Sequence, residues 1–406
     1  MPSPFQFDVT VLGAGIVGAT LACALGRSGL RVALVEARPP PAAAGEDWDL
    51  RVSAVTRATE RVFDHLGAWP AMAQRRVSPF REMRVWESGG GEVHFDSSEL
   101  AEPHLGHIVE NRVIVDALLQ RIDDFDTVAV FRPASATRII DGAERVRLNL
   151  DDGTRLSTRL LVGADGADSA VRRHAGIAMQ GWSYDQRAIV AVVRTERPHA
   201  DTAWQRFMPS GPLAFLPLAD GHCSIVWSSD APRADELMGL DDVAFARALE
   251  ESFEYRLGSV EVVSPRAAFP LALGHARAYV AARLALVGDA AHTVHPLAGQ
   301  GANLGVADAA VLAEVVADAG RLGRDAGSRA VLRRYERWRK GETLVMLGVM
   351  DGFKRLFGND LAPLRALRGA GLAAFDASGP LKRLVMRRAM GLDGDLPRLA
   401  RGATFV

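Results

Sequence analysis

Three stretches of this sequence combine glycines with very few reactive side chains. In GAGIVG, Gly13, Gly15 and Gly18 hold the spacing GxGxxG, and Glu36 follows 23 residues after Gly13. Glycines so placed let the backbone approach a pyrophosphate, and a helix opening there offers free N–H groups and the positive end of a dipole. A carboxylate ending the next strand accepts hydrogen bonds from an adenosine ribose. A glycine-rich turn that only packs strand on helix is the plainer alternative. In LLVGADGADSAVRR an apolar run delivers Asp165 and Gly166, with Ser169 and Arg172 at a helix start. Alone, this segment fits a capped helix equally well, since Asp and Ser favour helix N-termini. In GDAAHTVHPLAGQGANLG, Gly288 and Asp289 again follow an apolar run, and Gly299, Gln300, Gly301, Ala302 and Asn303 lead into a long helix. A carboxylate after a buried strand suits polyol hydroxyls, and a helix N-terminus suits negative charge developing on a redox ring.

His292 and His295 flank the turn in the third stretch, and histidine titrates near neutrality, so a general base is conceivable there. A structural or cofactor-packing role is the expectation, because both can equally satisfy backbone groups. No third ligand stands at a recognisable spacing, so no metal is expected. Cys23 and Cys223 lie 200 positions apart outside any CxxC pair, which gives no disulfide framework and fits a reducing compartment.

The elements that must position these residues follow from periodicity. Phe7, Val9 and Val11 alternate as a strand, ATLACALGRSG supplies a helix ending in glycine, and LRVALVE returns as a second strand, making a βαβ unit. RATERVFDHLGAW has helical spacing closed by Gly67, MRVWES and GEVHF read as strands, and RVRLNLDDGTRLSTRLLVGADG reads as a hairpin entering a buried strand. Residues 185–272 are mostly strand, with one helical stretch around VAFARALEESF, and from Asn303 onward the chain is mostly helical. GAGLAAF at 369–375 reads as a helix boundary.

The expected fold class is α/β, a Rossmann-like dinucleotide-binding domain with an interleaved β-sheet domain and a helical C-terminal segment. The expected division gives the first domain residues 1–75, 106–184 and 273–345, the second 76–105 and 185–272, and the helical segment 346–406.

With 406 residues and 48% hydrophobic content the chain can bury a sizeable core. Lys plus Arg total 48 against 49 Asp plus Glu, so no overall basic footprint for nucleic acid exists. The uncharged run from Val9 to Leu25 lacks a basic n-region and is interrupted by glycines, so it reads as folded chain, and no transmembrane segment is expected.

The ordered trio GAGIVG with Glu36, GADGADSAVR and GDAAHTVHPLAGQGANLG resembles the FAD-dependent aromatic hydroxylases, the single-component flavoprotein monooxygenases, over nearly the whole chain. LRVSAV, LGHIVEN, LAFLPL, CSIVWS, RRYERWRK and AMGLDGDLP resemble the ubiquinone-biosynthesis branch, most of all its hydroxylases acting at ring position C5 of a polyprenylphenol. The resemblance implies that Gly13, Gly15, Gly18 and Glu36 hold the ADP half of FAD, with Arg51 and Asn111 touching the cofactor from neighbouring elements. It also implies Asp165 and Gly166 near the pyrophosphate, Asp289 (beside Gly288) on the ribityl chain, and the backbone of Gly299 to Asn303 along the pyrimidine edge. In that chemistry NADPH (or NADH) reduces FAD, O₂ adds at flavin C4a, and the distal oxygen of the hydroperoxyflavin passes to an electron-rich phenol. No side-chain acid or base is then required, while water must be excluded. The absence of a second GxGxxG and of a redox CxxC sets the chain apart from flavoprotein disulfide reductases.

Phe215, Leu216, Pro217, Pro296 and Leu297 are candidates for the apolar wall of a substrate pocket, although alternating apolar residues also describe ordinary sheet core. From Lys354 to Val406 the chain carries ten Lys or Arg against four Asp, net about +6, interleaved with Leu, Met and Phe. Such a surface suits anionic lipid, or a solvated helical face packed on the first domain. The expected setting is cytoplasmic, at the inner face of the membrane, with a polyprenylated phenol as substrate and other quinone-biosynthesis proteins as partners. A hydroxylase of another ring position or of a small soluble aromatic is the nearest alternative, and a flavin-fold scaffold the more distant one.

Overall fold

A computed structural model describes residues 5–39, 47–87, 90–293, 300–357 and 362–403. Five parallel strands form the centre of an eight-stranded sheet, in the order Leu284–Leu286, Arg155–Gly163, Phe5–Leu12, Val32–Val35 and Val128–Phe131. The register is fixed by apolar residues on both faces: Val9, Val11, Leu34, Leu160 and Val162 are all closed to solvent, as a strand covered by helices on both sides must be. The helix Ile16–Arg27 packs on this sheet, and the long helix Gln300–Arg321 lies against it in turn.

The second sheet has nine strands and is largely antiparallel. One face buries Trp86, Ile189, Phe215, Ile225 and Trp227 under the helices Ala231–Gly239 and Asp242–Ser252. The sequence reading found only the second of these helices, because Pro232 in the first turn and a short apolar stripe gave the first a weak signal. The other face of this sheet looks toward a three-stranded sheet, Val52–Thr56, Gly106–Glu110 and Val77–Phe80.

The strands Met179–Thr195 and Ala267–Ala276 pair with each other on both sides of the expected boundaries at 184/185 and 272/273, with a shift of register between Ser183 and Gln186. Likewise Val77–Phe80 joins the three-stranded sheet while Glu82–Glu87 joins the large one, and the helix Arg329–Phe357 continues past residue 345. GAGLAAF is no helix boundary, since it lies within the helix Ala362–Asp376. A methyl placed on Gly91 would lie 2.7 Å from the Gly369 Cα, so Gly91 is small for a packing reason and sits directly on that helix. Burial pushes the thiols of Cys23 and Cys223 up to about 12, which leaves both unreactive near neutrality.

Candidate functional site

The loop after Phe5–Leu12 uses its three glycines for different purposes. Gly13 has φ +100°, and a Cβ on it would lie 2.3 Å from the Ala164 carbonyl oxygen; a Cβ on Gly18 would lie 1.9 Å from the Gly13 oxygen. Both are internal packing requirements. Around Gly15 there is open space, and the helix it introduces has no side-chain cap, so its first N–H groups face outward unanswered. Glu36 is buried beside this loop, accepting from the Ala14 N–H at 2.8 Å and the Arg38 N–H at 2.9 Å. Burial alone would raise its carboxyl; the N–H groups of Arg38 and Ala14 outweigh that and hold it below the usual range. It is therefore an anchored carboxylate with acceptor capacity left for a ribose hydroxyl.

The other two motifs converge on this loop. Ala164 meets Gly13, Val17 packs on both Gly288 and Gly305, and the buried Arg172 donates to the Ala290 carbonyl at 3.0 Å and to the Ala167 carbonyl at 2.6 Å. All three motifs thus stand at the carboxyl ends of adjacent parallel strands, the position at which open α/β sheets bind nucleotides. Asp165 uses Oδ2 to cap the short helix Ala170–His174, accepting from the Ala170 N–H at 2.7 Å, while its Oδ1 is buried without a partner among the described residues. So the capping reading of this motif is correct for one oxygen and leaves the other unassigned. Gly166, at φ +79°, has open space around it.

Asp289 is exposed by surface area, yet burial by the surrounding protein pushes its carboxyl above the ordinary value, against the pull of His292 and Arg51. Asp289 thus stands on the wall of an open cleft, with the exposed Arg51 beside it and the buried His292 beneath it. The exposed Arg51 stands 6.0 Å from the Phe269 ring, and its carbonyl accepts from the Asn111 N–H at 2.9 Å; Asn111 Oδ1 accepts from the Ser53 hydroxyl at 2.7 Å. Arg51 and Asn111 are therefore neighbours, held by the pairing of Val52 with Glu110.

Gln300 to Asn303 form the first turn of the helix Gln300–Arg321, and Gly301 has open space. The Asn303 amide donates to the Ala54 carbonyl at 2.8 Å and accepts from the Thr56 N–H at 3.1 Å, locking this turn to the strand Val52–Thr56. Gly299, His295, Pro296 and Leu297 lie outside the described residues.

The buried centre under this site was not legible as a motif. Asp308, wholly closed to solvent, accepts from His292 Nε2 at 2.5 Å, from the Gly288 N–H at 3.0 Å and from Arg339 Nε at 2.8 Å. Tyr335 donates to the Leu286 carbonyl at 2.7 Å. His292 is thus tied to a buried carboxylate. The available signal was one acid, Asp308, inside an apolar helical run, and RRYERWRK supplying Tyr335 and Arg339.

Between the large sheet and the three-stranded sheet lies an apolar cavity of about 100 Å³. Val52, Ala54 and Ile108 wall one side, Ala214, Leu216 and Val226 the other. Leu216, one of the expected wall residues, lines this cavity. Phe215 points to the opposite face and packs on Phe253, with ring centroids 4.1 Å apart, and Pro217 shares its alternation; period-two side-chain reversal separates them from Leu216.

These residues fit a flavin dinucleotide: an uncapped helix N-terminus, an anchored carboxylate, three open glycines, an Asp165 oxygen without a partner among the described residues, and a cleft-lining aspartate. Residues 6–343 match the FAD binding domain family. The chain belongs to that family. Ubiquinone hydroxylase UbiL of Rhodospirillum rubrum is 41% identical to it, covering 97% of this chain and 92% of that protein. The 3-demethoxyubiquinol 3-hydroxylase of Escherichia coli is 39% identical, covering 95% and 98%. Among solved structures, PqsL of Pseudomonas aeruginosa, a probable FAD-dependent monooxygenase, is 25% identical with a TM-score of 0.78, covering 90% of this chain and 99% of that one. The protein is an FAD-dependent aromatic monooxygenase of the ubiquinone-biosynthesis hydroxylase family. Among the described residues no helix is long and apolar enough to cross a membrane.

Proposed function

We propose that this monooxygenase hydroxylates the aromatic ring of a polyprenylated phenol on the route to ubiquinone, at ring position C5. The observation that carries the reading is the position of the apolar cavity: its walls Val52 and Ala54 belong to the strand that Asn303 binds, so ring substrate and flavin share one partition. Bound FAD, reduced by NADPH or NADH, supplies the activated oxygen.

The protein's own residues bind, orient and exclude water. Gly13, Gly15 and Gly18 admit the pyrophosphate to the helix N-terminus, Glu36 receives the adenosine ribose, and Asp165 with Gly166 closes the pyrophosphate side. Asp289 receives the ribityl hydroxyls, Arg51 and Asn111 hold the cofactor from the adjoining sheet, and the first helical turn, Gln300 to Asn303, faces the pyrimidine edge, a role expected of Gly299 too. The apolar walls keep the reacting ring dry and near the oxygen donor, the demand this chemistry makes in place of an acid or base. In this division, residues 1–75, 106–184 and 273–345 hold the flavin and 76–105 with 185–272 hold the substrate, the long strands being shared. The outward face of Gly379–Ala389 is the surface that meets the membrane holding the prenyl tail, where other quinone-biosynthesis proteins would also be met.

A second reading keeps the chemistry and moves the oxygen to another open carbon of the same ring; the printed activity of the Escherichia coli relative, a 3-hydroxylase, favours it. Short-chain prenylphenols with C5 open or blocked, turned over by purified holoenzyme and followed by NMR of the product, decide between them. Hydroxylation at C5 alone supports the first reading. Turnover that persists with C5 blocked supports the second, and conversion of only a soluble aromatic acid contradicts both.

A further inference from the structure

Besides Trp204, whose Nε1 donates to the His199 carbonyl at 3.4 Å, the cavity lining carries two polar side chains, Gln205 and Ser228. Gln205 is 6% exposed and Ser228 2% exposed, and neither side chain hydrogen-bonds to protein among the described residues. Strand register shows where Gln205 points. It lies opposite Ala214 on one neighbouring strand and Val85 on the other, and Ala214 lies opposite Val226. Residues directly opposite share a face, so Gln205 stands on the cavity face with Ala214 and Val226, while its chain neighbour Trp204 pairs with Phe215 on the helix-covered face. Ser228 follows Val226 by two positions on the same strand and so shares that face.

The Gln205 carboxamide and the Ser228 hydroxyl are not among the buried polar atoms left without a partner, so both open onto the cavity space, and a leucine or methionine in place of the Gln205 carboxamide would present only carbon there. Its presence makes sense if a ligand completes it. A carboxamide both donates and accepts, as does a hydroxyl, and a phenolic O–H on an otherwise apolar ring offers the matching pair.

We propose that Gln205, assisted by Ser228, is the specificity-determining contact for a ring hydroxyl of the substrate and thereby selects which ring carbon faces the flavin. This rests on the reading of the cavity as the substrate pocket. The ring enters the cavity with its hydroxyl on the sheet face and its apolar substituent directed away.

The test uses purified wild-type, Gln205→Met and Ser228→Ala holoenzymes, each checked for bound FAD by its absorption spectrum. Two short-chain prenylated probes are compared, a phenol and its O-methyl ether, which keeps the ring and loses the donor. Wild type is expected to prefer the phenol in kcat/KM, and Gln205→Met to lose about tenfold to hundredfold on the phenol while leaving the ether nearly unchanged. More NADPH is then oxidised per product formed, as the ring is held less firmly. Ser228→Ala should shift the same preference less. If wild type hydroxylates the phenol and both variants keep its full preference over the ether, the role of Gln205 is overturned while the function stands. If wild type hydroxylates neither probe, both fall together.

Discussion

The Asp308 carboxylate and the His292 ring lie 2.5 Å apart with both side chains shut away from solvent, directly beneath the turn that presents Asp289. Arg339 binds the second oxygen of Asp308 at 2.8 Å, and the Gly288 N–H shares the first at 3.0 Å. One buried acid therefore ties the Gly288–Asp289 turn to two helices.

Replacing Asp308 by Asn leaves the Arg339 cation buried and its Nε without a charged acceptor, which should reduce stability by about 3–5 kcal/mol. FAD affinity should fall with it, since the Gly288–Asp289 turn loses its anchor. Burial raises the Asp308 carboxyl, but attraction to His292 and Arg339 outweighs burial and holds it below the usual range. That stabilisation is present above the unfolded-state value and disappears as pH falls through the folded one. Urea unfolding of wild type and D308N with and without FAD checks both statements; equal stability of the two proteins would refute them.

The two kinds of glycine in the first loop should separate experimentally. G13A forces a methyl to 2.3 Å from the Ala164 oxygen at a φ of +100°, so the apoprotein itself should lose about 1–3 kcal/mol. G15A places a methyl in open space and should fold normally while binding FAD about tenfold or more weakly, because the methyl intrudes where the pyrophosphate approaches. Thermal melts of apoprotein and FAD titration by flavin fluorescence measure the difference.

Acid should loosen the three-stranded sheet before it affects the flavin site. Burial, the His107 ring at a centroid distance of 4.1 Å, and the Arg57 charge lower His104 to about 4, against the pull of Glu60. Its folded value lies below the unfolded one, so the unfolded chain binds the extra proton. Stability is then complete above about pH 6.5 and is lost as pH falls toward the folded value, by at most about 3 kcal/mol. His104→Gln should flatten the stability profile across that window, read by urea midpoints at each pH.

On the helix Gly379–Ala389, Lys382, Met386 and Met390 just beyond its end turn inward, while Leu381, Leu384 and Val385 are exposed beside Arg383, Arg387 and Arg388. Arg387 pairs with Asp393, while Arg383 and Arg388 have no ion-pair partner among the described residues and are the two charges the proposed membrane surface would use. Sedimentation with vesicles containing anionic lipid should show binding that weakens with salt, and a Leu381/Leu384/Val385 triple Asp variant should bind about tenfold less or worse while keeping its melting temperature. Equal sedimentation of the two proteins would remove this surface from the account.

The glycine motifs and the βαβ start were legible because their physics is local: spacing within a few residues decides whether a backbone approaches a phosphate. Asp308 and Arg339 were not, because their meaning depends on two helices meeting across 31 positions. Phe215 and Leu216 could not be sorted either, since the sequence shows alternation but not which face is covered by the helix Ala231–Gly239. Gln205 was invisible for the same reason: only its pairing with Ala214 places it inside the cavity.

The most direct test of the central claim is mass spectrometry of the product formed by FAD-loaded protein with NADPH and a short-chain prenylphenol under ¹⁸O₂. The account predicts one labelled oxygen on the aromatic ring and NADPH oxidation that accelerates when the phenol is present. Protein that holds flavin and oxidises NADPH, yet returns the prenylphenol unchanged with only hydrogen peroxide formed, would contradict it.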